Sequence, residues 1–271
     1  MIRLQAFGGL DLDVGHVGVV APSVRPRVLA LLALLLGPRA GALSRDKVLA
    51  YLWPDSDTDH ARNSLKQALF TLRQCLGRAI VQSCCGGIRL DRSLVHCDVW
   101  EFEEAICAGR LEHAAELYRG PFLDGIYVSG LAEFERWVDD ERQRLDQQFG
   151  LALQRLACKA RAEGRLDDAV EWSRRLASRE PLSSPAALRL MRALVAAGDP
   201  TGALDHFRRY ARRIGVELGS PPADELVRLA GEIRRDLAGP AEGPSLGAPP
   251  VQAPPIRPDQ ARPARWARSA R

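Results

Sequence analysis

Hydrophobic positions in the first third of the chain change period several times. Ile2, Leu4 and Ala6 alternate with Arg3, Gln5 and Phe7, the pattern of a half-buried strand, and Gly8-Gly9 predicts a two-residue hairpin turn. Leu10 and Leu12 continue the alternation against Asp11 and Asp13, and Val17 to Val20 predict a third strand. From Arg27 the spacing becomes helical: Val28, Leu31, Leu32, Leu35 and Leu36 recur at three and four residues, and Gly37-Pro38 ends the run. Ser44 is placed to cap a second helix, with Lys47 where a complete capping box would have Glu. That helix carries Val48, Leu49 and Leu52 and stops before Pro54. A polar turn over 55–59 leads to a third helix, from about Ala61 to Leu76, whose Ala61, Leu65, Ala68, Leu69, Leu72 and Leu76 share one apolar stripe. Residues 79–83 and 88–90 then flank Cys84-Cys85-Gly86-Gly87, a β-hairpin with glycines at its tip.

From Asp98 the pattern is helical throughout, and one stretch repeats at a period of 34 residues. Residues 162–170 lie over 196–204, Arg174-Arg175-Leu176 lies over Arg208-Arg209-Tyr210, and residues 108–115 form a third, degenerate copy. In each copy a glycine ends one helix and an alanine five residues later admits the next helix closely, as in a tetratricopeptide unit. Residues 239–271 hold eight prolines and five arginines in 33 positions, a composition that cannot bury a core. Such a basic tail is compatible with added non-specific DNA affinity and equally with none. The expected fold is mainly α. An α+β winged helix-turn-helix covers residues 1–97, an all-α tetratricopeptide-like repeat covers 98–238, and a disordered Pro/Arg-rich tail covers 239–271.

The outward face of the third helix bears the candidate chemistry. It presents Arg62, Asn63, Lys66, Gln67, Phe70, Arg73 and Gln74 and no acidic residue. Arg and Lys pair with guanine edges, Asn and Gln with adenine, and an apolar ring meets a thymine methyl. Arg62, Asn63, Lys66, Gln67, Phe70 and Arg73 are therefore candidates to read bases from the major groove. The alternative is an ordinary solvated helix, although such faces usually mix Glu with Lys. Arg89 and the bare glycine amides of the hairpin are suited to phosphate or to a minor groove. Two short β-ribbons around three helices would equally describe a packing module without nucleic acid, and the basic third helix separates the two.

Charge supports that division. Residues 1–97 carry 12 Lys and Arg against 7 Asp and no Glu, residues 98–238 carry 21 basic against 25 acidic, and the tail carries 5 Arg against 2 acids. A basic head on an acidic body points to a polyanion met by the head alone.

Other classes find little support. The longest apolar run, Val28 to Leu36, is nine residues, short of the roughly 18 needed to span a bilayer. The opening residues carry no signal-peptide pattern, so a cytoplasmic protein with mostly reduced thiols and no membrane partner is expected. Histidines at 16, 60, 96, 113 and 206 form no HExxH pair, Ser44, Ser64 and Ser173 lack a GxSxG setting, and there is no GxxxxGK[ST] loop. Neither catalysis nor a cofactor is expected. Cys84-Cys85, with Cys75, His96 and Cys97 nearby in sequence, leave a redox or metal role open. Vicinal cysteines are poor partners for one tetrahedral ion, which favours incidental thiols and no metal.

The ordered set of motifs resembles the bacterial transcriptional activators of the antibiotic regulatory protein class. The head is similar to the winged helix of response-regulator output domains through 43–49, Leu52-Trp53-Pro54-Asp55, and Ala61-Arg62 through Leu72-Arg73. The body resembles the bacterial transcriptional activator domain through Tyr118-Arg119-Gly120-Pro121-Phe122-Leu123, Trp137 with 142–145, Glu180-Pro181-Leu182, 190–194 and 217–222. Ile88 stands where the family usually has an aromatic, and Ser184-Pro185 stands as an N-cap and first-turn pair where a Glu is common. The resemblance implies a sequence-specific DNA-binding activator, with double-stranded DNA as partner and RNA polymerase recruited at promoters with repeated half-sites, on which a homodimer could sit. It also implies phosphate contacts from Arg25, Arg27, Arg45, Lys47 and Arg89. The competing expectation is a tetratricopeptide-type interaction adaptor whose winged head does not bind DNA.

Overall fold

The computed structural model describes residues 2–13, 25–37, 41–84 and 87–238. The expected strand at Val17 to Val20, the tail from 239 and Cys85 lie outside the described residues. Strands β1 (Ile2–Gln5) and β2 (Asp11–Asp13) pair antiparallel with Leu4 opposite Leu12. The link between them is not a two-residue turn at Gly8-Gly9. Residues 6–10 all belong to it, because this loop is held by the helical body. Phe7 and Gly9 each bridge to Phe122, and the Gly8 N–H donates to the Pro121 carbonyl at 2.9 Å. Phe7, which the alternation placed on the polar side, is buried, with Phe102 at 5.3 Å and Tyr118 at 4.8 Å between ring centroids. A third strand, β6 (Val95–Cys97), joins β1 in parallel, so the sheet order is β2-β1-β6.

Three helices follow the strand pair: α1 (Pro26–Leu36), α2 (Arg45–Leu52) and α3 (Thr58–Leu76). Pro26 occupies the first turn of α1, where its missing N–H costs nothing. Ser44 caps α2 as expected, accepting from the Lys47 amide at 3.3 Å. The start of α3 lies three residues earlier than the periodicity suggested, because the Asp57 carboxylate accepts from the Asp59 and His60 amides at 3.0 Å. The buried residues of α3 are the six of its expected apolar stripe. The hairpin is present as β4 (Val81–Cys84) and β5 (Gly87–Leu90), with Ser83 opposite Ile88. A two-residue strand, β3 (Leu43–Ser44), completes the wing in the order β3-β5-β4. A Cβ on Gly87 would stand 2.7 Å from that of Ala42, so the strand contact requires glycine there.

The body contains α4 (Asp98–Cys107), α5 (Leu111–Leu117), α6 (Ala132–Ala162), α7 (Leu166–Arg179), α8 (Ser184–Ala196), α9 (Pro200–Leu218) and α10 (Asp224–Ala238). The three sequence repeats fall on three equivalent turns, between α4 and α5, α6 and α7, and α8 and α9. Gly109, Gly164 and Gly198 adopt φ of +72°, +74° and +81°. In each case the next residue's N–H returns to a carbonyl five residues back: Arg110 to Ala105 at 2.9 Å, Arg165 to Ala160 at 2.8 Å, Asp199 to Leu194 at 2.9 Å. Ala114, Ala169 and Ala203, five residues after each glycine, are buried where the helices cross. The cap of α8 differs by one position from the expectation. Ser183 accepts from the Ala186 amide at 3.3 Å, whereas the Ser184 hydroxyl meets the Tyr210 hydroxyl at 2.7 Å.

One hydrophobic core runs through head and body. The segment Tyr118–Leu123 is the joint. Leu123 donates its N–H to the Ala6 carbonyl at 2.8 Å, and Arg142 of α6 donates to the carbonyls of Phe122 and Leu123 at 2.8 and 2.7 Å. Leu123 has a φ of +51°, a conformation costing a leucine on the order of 1–2 kcal/mol, and the Arg142 bonds oppose that cost. Asp98 closes the joint from the other side. Its carboxylate accepts from the amides of Ala6 at 2.9 Å, Phe7 at 3.0 Å and Val99 at 2.8 Å.

Burial pushes the Asp98 carboxyl above its ordinary 3.8, against the pull of those amides. Its contribution to stability is therefore full below 3.8 and declines as pH rises through the raised value. Asp98→Ala, which leaves the Ala6 and Phe7 amides without an acceptor, is expected to lower stability by about 1.5–3 kcal/mol, read as a shift of the urea midpoint at constant slope. In the non-titrating Asp98→Asn chain, the difference from wild type should move against wild type as pH rises from 4 towards neutrality.

Candidate nucleic-acid interface

The Asp57 cap and the apolar stripe together orient α3. With Leu65, Leu69 and Leu72 buried, the helical period turns Arg62, Asn63, Lys66, Gln67 and Phe70 outward, and all five are exposed. Among the described residues the side chains of Asn63, Lys66 and Gln67 make no hydrogen bond or ion pair. Arg62 lies 3.8 Å from Asp59, which the earlier helix start brings onto α3, but both side chains are largely exposed. Such a pair is worth little and yields readily to a stronger anion. Phe70 is 59% exposed. An aromatic ring left open amid amides and cations is an apolar contact without a partner inside the chain.

Arg73 is placed differently. It is half-buried, its Nε donating to the Val81 carbonyl at 3.2 Å and its Nη2 to the Ser83 hydroxyl at 3.1 Å. Arg45, at the start of α2, reaches the same Ser83 hydroxyl at 3.4 Å. Helical spacing alone set Arg73 beside the base-reading candidates; the arrival of β4 against the last turns of α3 turns it toward the wing. These bonds link helix and wing, contacts that no periodicity in the sequence could signal.

The candidates for phosphate contact lie on α1, α2 and the wing. Arg25 and Arg27 flank Pro26 at the start of α1, and Arg45 and Lys47 occupy the first turn of α2; all four are exposed. Arg89 is exposed on β5, with its Nε and Nη2 on the Gln82 side-chain oxygen at 3.1 and 3.0 Å. Gln82 in turn donates to Asp91 at 2.6 Å. Hydrogen bonds from Ser93 hold the Asp91 carboxyl below its ordinary value, so this wing network keeps one anion beside Arg89.

Among the described residues no group of three or more His, Cys, Asp or Glu could hold a metal ion. Cys97 is buried, and burial pushes its thiol up to about 12, which removes the thiolate that redox or metal chemistry needs. His96 and His113 both meet Glu101, at 3.3 and 2.7 Å, a side-chain cluster the sequence did not reveal because it joins β6, α4 and α5. No helix among the described residues is long and apolar enough to cross a membrane.

Comparison with known proteins finds similarity to transcriptional regulators. Residues 97–234 match the family model of the bacterial transcriptional activator domain. The transcriptional regulatory protein EmbR of Mycobacterium tuberculosis is 27% identical over 241 residues, covering 80% of this chain and 60% of EmbR. The transcriptional regulatory protein MoaR1 of Mycobacterium tuberculosis is 26% identical over 260 residues, covering 87% of this chain and 80% of MoaR1. The solved structure of Mycobacterium tuberculosis EmbR in complex with a low-affinity phosphopeptide is similar with a TM-score of 0.60 at 25% identity, covering 87% of this chain and 65% of that one. This chain thus spans 60% of the length of EmbR.

Proposed function

The chain belongs to the bacterial transcriptional activator domain family, and from that premise we propose that it is a transcriptional regulator whose N-terminal head binds double-stranded DNA sequence-specifically. In this reading residues 1–97 are the DNA-binding unit, 98–238 the activator domain and 239–271 a basic tail. The observation that supports it best is the outward face of α3, where Asn63, Lys66, Gln67 and the open ring of Phe70 stand together without internal partners, beside an Arg62 held only by an exposed pair with Asp59.

Arg62, Asn63, Lys66, Gln67 and Phe70 enter the major groove and read base edges. Arg25, Arg27, Arg45, Lys47 and Arg89 meet phosphates, setting register and most of the salt dependence. Arg73 positions the wing against α3 through Val81 and Ser83. The body carries the activating output, contacting RNA polymerase or spacing two heads of a homodimer on repeated half-sites. The protein works in the cytoplasm and performs no catalysis.

Fluorescence anisotropy of the full chain, with duplex DNA from upstream of its own gene against a scrambled duplex at several salt concentrations, tests this reading. A preference of about 10³-fold or more, with affinity falling steeply in salt, is expected of a specific regulator. Equal, weak binding to both duplexes would remove the regulator reading and leave an interaction adaptor.

A further inference from the structure

The second helices of two consecutive repeats, α7 and α9, flank an open cleft of about 810 Å³ whose lining includes Leu190 and Leu194 of α8. Its walls are unusually basic for this part of the chain. Residues 98–238 carry 21 basic against 25 acidic side chains, yet Arg174 of α7 faces the cavity from one side and Arg209, Arg212 and Arg213 of α9 from the other. The acids at its edge are already engaged. Asp199 accepts from the Gly202 amide at 2.8 Å, Asp205 holds Arg208 at 2.6 Å, and Glu217 lies 3.5 Å from Arg213. Among the described residues, Arg209 and Arg212 have no hydrogen bond or ion pair, and both are exposed.

Two further features belong to the same wall. His206, three residues before Arg209 and so on the same face of α9, has its Nε2 buried without a hydrogen-bond partner. Burial, and then the charge of Arg209, hold its pKa below the ordinary 6.5, so the ring is neutral near pH 7 and offers one unused polar atom. Val216 also lines the cavity and is 80% exposed. Two unpaired guanidinium groups, an unsatisfied imidazole nitrogen and an open aliphatic side chain over a leucine floor form a mixed surface, cationic above and apolar below.

We propose that this cavity docks a protein segment in which acidic and apolar side chains alternate. Carboxylates of the segment pair with Arg209 and Arg212, for which the planar fork of arginine is suited. An apolar side chain of the segment covers Val216 beside the Leu194 wall. Charge complementarity selects the acidic residues, and the apolar floor argues against duplex DNA, a convex polyanion that brings no apolar group into a recess. The site is separate from α3 and does not depend on how the head binds DNA.

The test uses the full chain and a fluorescein-labelled synthetic peptide repeating Glu-Leu-Asp-Phe, with a second peptide in which Gln and Asn replace the acids. Saturable binding of the acidic peptide is expected. It should weaken by about tenfold or more in Arg209→Ala/Arg212→Ala and in Val216→Asp, be only partly restored in Arg209→Lys/Arg212→Lys, which keeps the charge without the fork, and be absent for the amide peptide. All these positions are exposed, and unchanged circular dichroism and thermal midpoints would establish that the variants fold. Binding that is absent, or that the substitutions leave unchanged, overturns the proposal. So does loss of affinity for random duplex DNA in the double alanine variant with peptide binding unaltered, which would make the wall a phosphate contact instead.

Discussion

Asn63→Ala/Gln67→Ala is expected to cut the preference of the full chain for its own upstream DNA over a scrambled duplex by about 10²–10³-fold, because each lost bidentate contact to a base edge removes roughly 1–3 kcal/mol of discrimination. Neither side chain carries charge, so the slope of log affinity against log salt should stay as it is. Lys66→Ala should behave in the opposite sense where it touches phosphate as well as base, weakening both duplexes and reducing the slope by about 1. Stability should barely change, since Asn63, Lys66 and Gln67 are exposed and without partners among the described residues. Arg73→Ala supplies the internal contrast. It removes two hydrogen bonds to β4 and should loosen the wing, measurable as faster amide exchange at Val81–Cys84, whereas the other substitutions leave that exchange unaltered. Anisotropy at a series of salt concentrations decides the matter. If Asn63→Ala/Gln67→Ala discriminated between the duplexes as well as wild type, base reading by this face would be wrong.

The parts of the molecule that could be read in advance are those in which local spacing and tertiary burial agree. The apolar stripe of α3 from Ala61 to Leu76 is one, since a single helical period decides which residues face inward. The repeated turns at Gly109, Gly164 and Gly198 are another, because a left-handed residue followed by a close helix crossing constrains two positions in each copy. What escaped depends on segments distant in sequence. Phe7 follows β1 and would face outward if the strand continued, but the body reaches the loop and buries its ring against Phe102 and Tyr118. The strand β3 is two residues long, too short for an alternation to show, and β6 is a three-residue strand whose pairing with β1 joins segments more than ninety residues apart. Arg73 is polar in any helical projection, and only the arrival of β4 gives it partners. At the candidate interface, residue type and face were legible on α3, whereas the contacts that tie Arg73 to the wing were not.

The largest effect on stability is expected from Phe122→Ala. Phe122 is 0% exposed, bridges both Phe7 and Gly9, and meets Trp137 edge-on at 6.1 Å. Trp137 in turn reaches Tyr51 of α2 at 6.3 Å, so the rings of Phe122, Trp137 and Tyr51 connect the joint, α6 and the second helix of the head, while backbone bridges tie Phe122 to the strand loop. Truncation removes the buried ring at the joint end of that sequence, where the backbone is pinned by Arg142 on the carbonyls of Phe122 and Leu123 and cannot readily close the space. Large buried aromatics cost about 3–5 kcal/mol when cut to alanine, and a site that cannot collapse belongs at the upper end. Because the core is continuous from head to body, wild type should unfold in urea as one transition. The variant should shift that whole transition downward, with tryptophan fluorescence and far-ultraviolet circular dichroism moving together. Fragment 1–97 should be less stable than the full chain for the same reason, since it exposes Phe7 and deprives the Ala6 and Phe7 amides of Asp98. A loss below about 1 kcal/mol, or two separated transitions in wild type, would show that head and body are stabilised independently and that the joint does not fix how the head is presented to DNA.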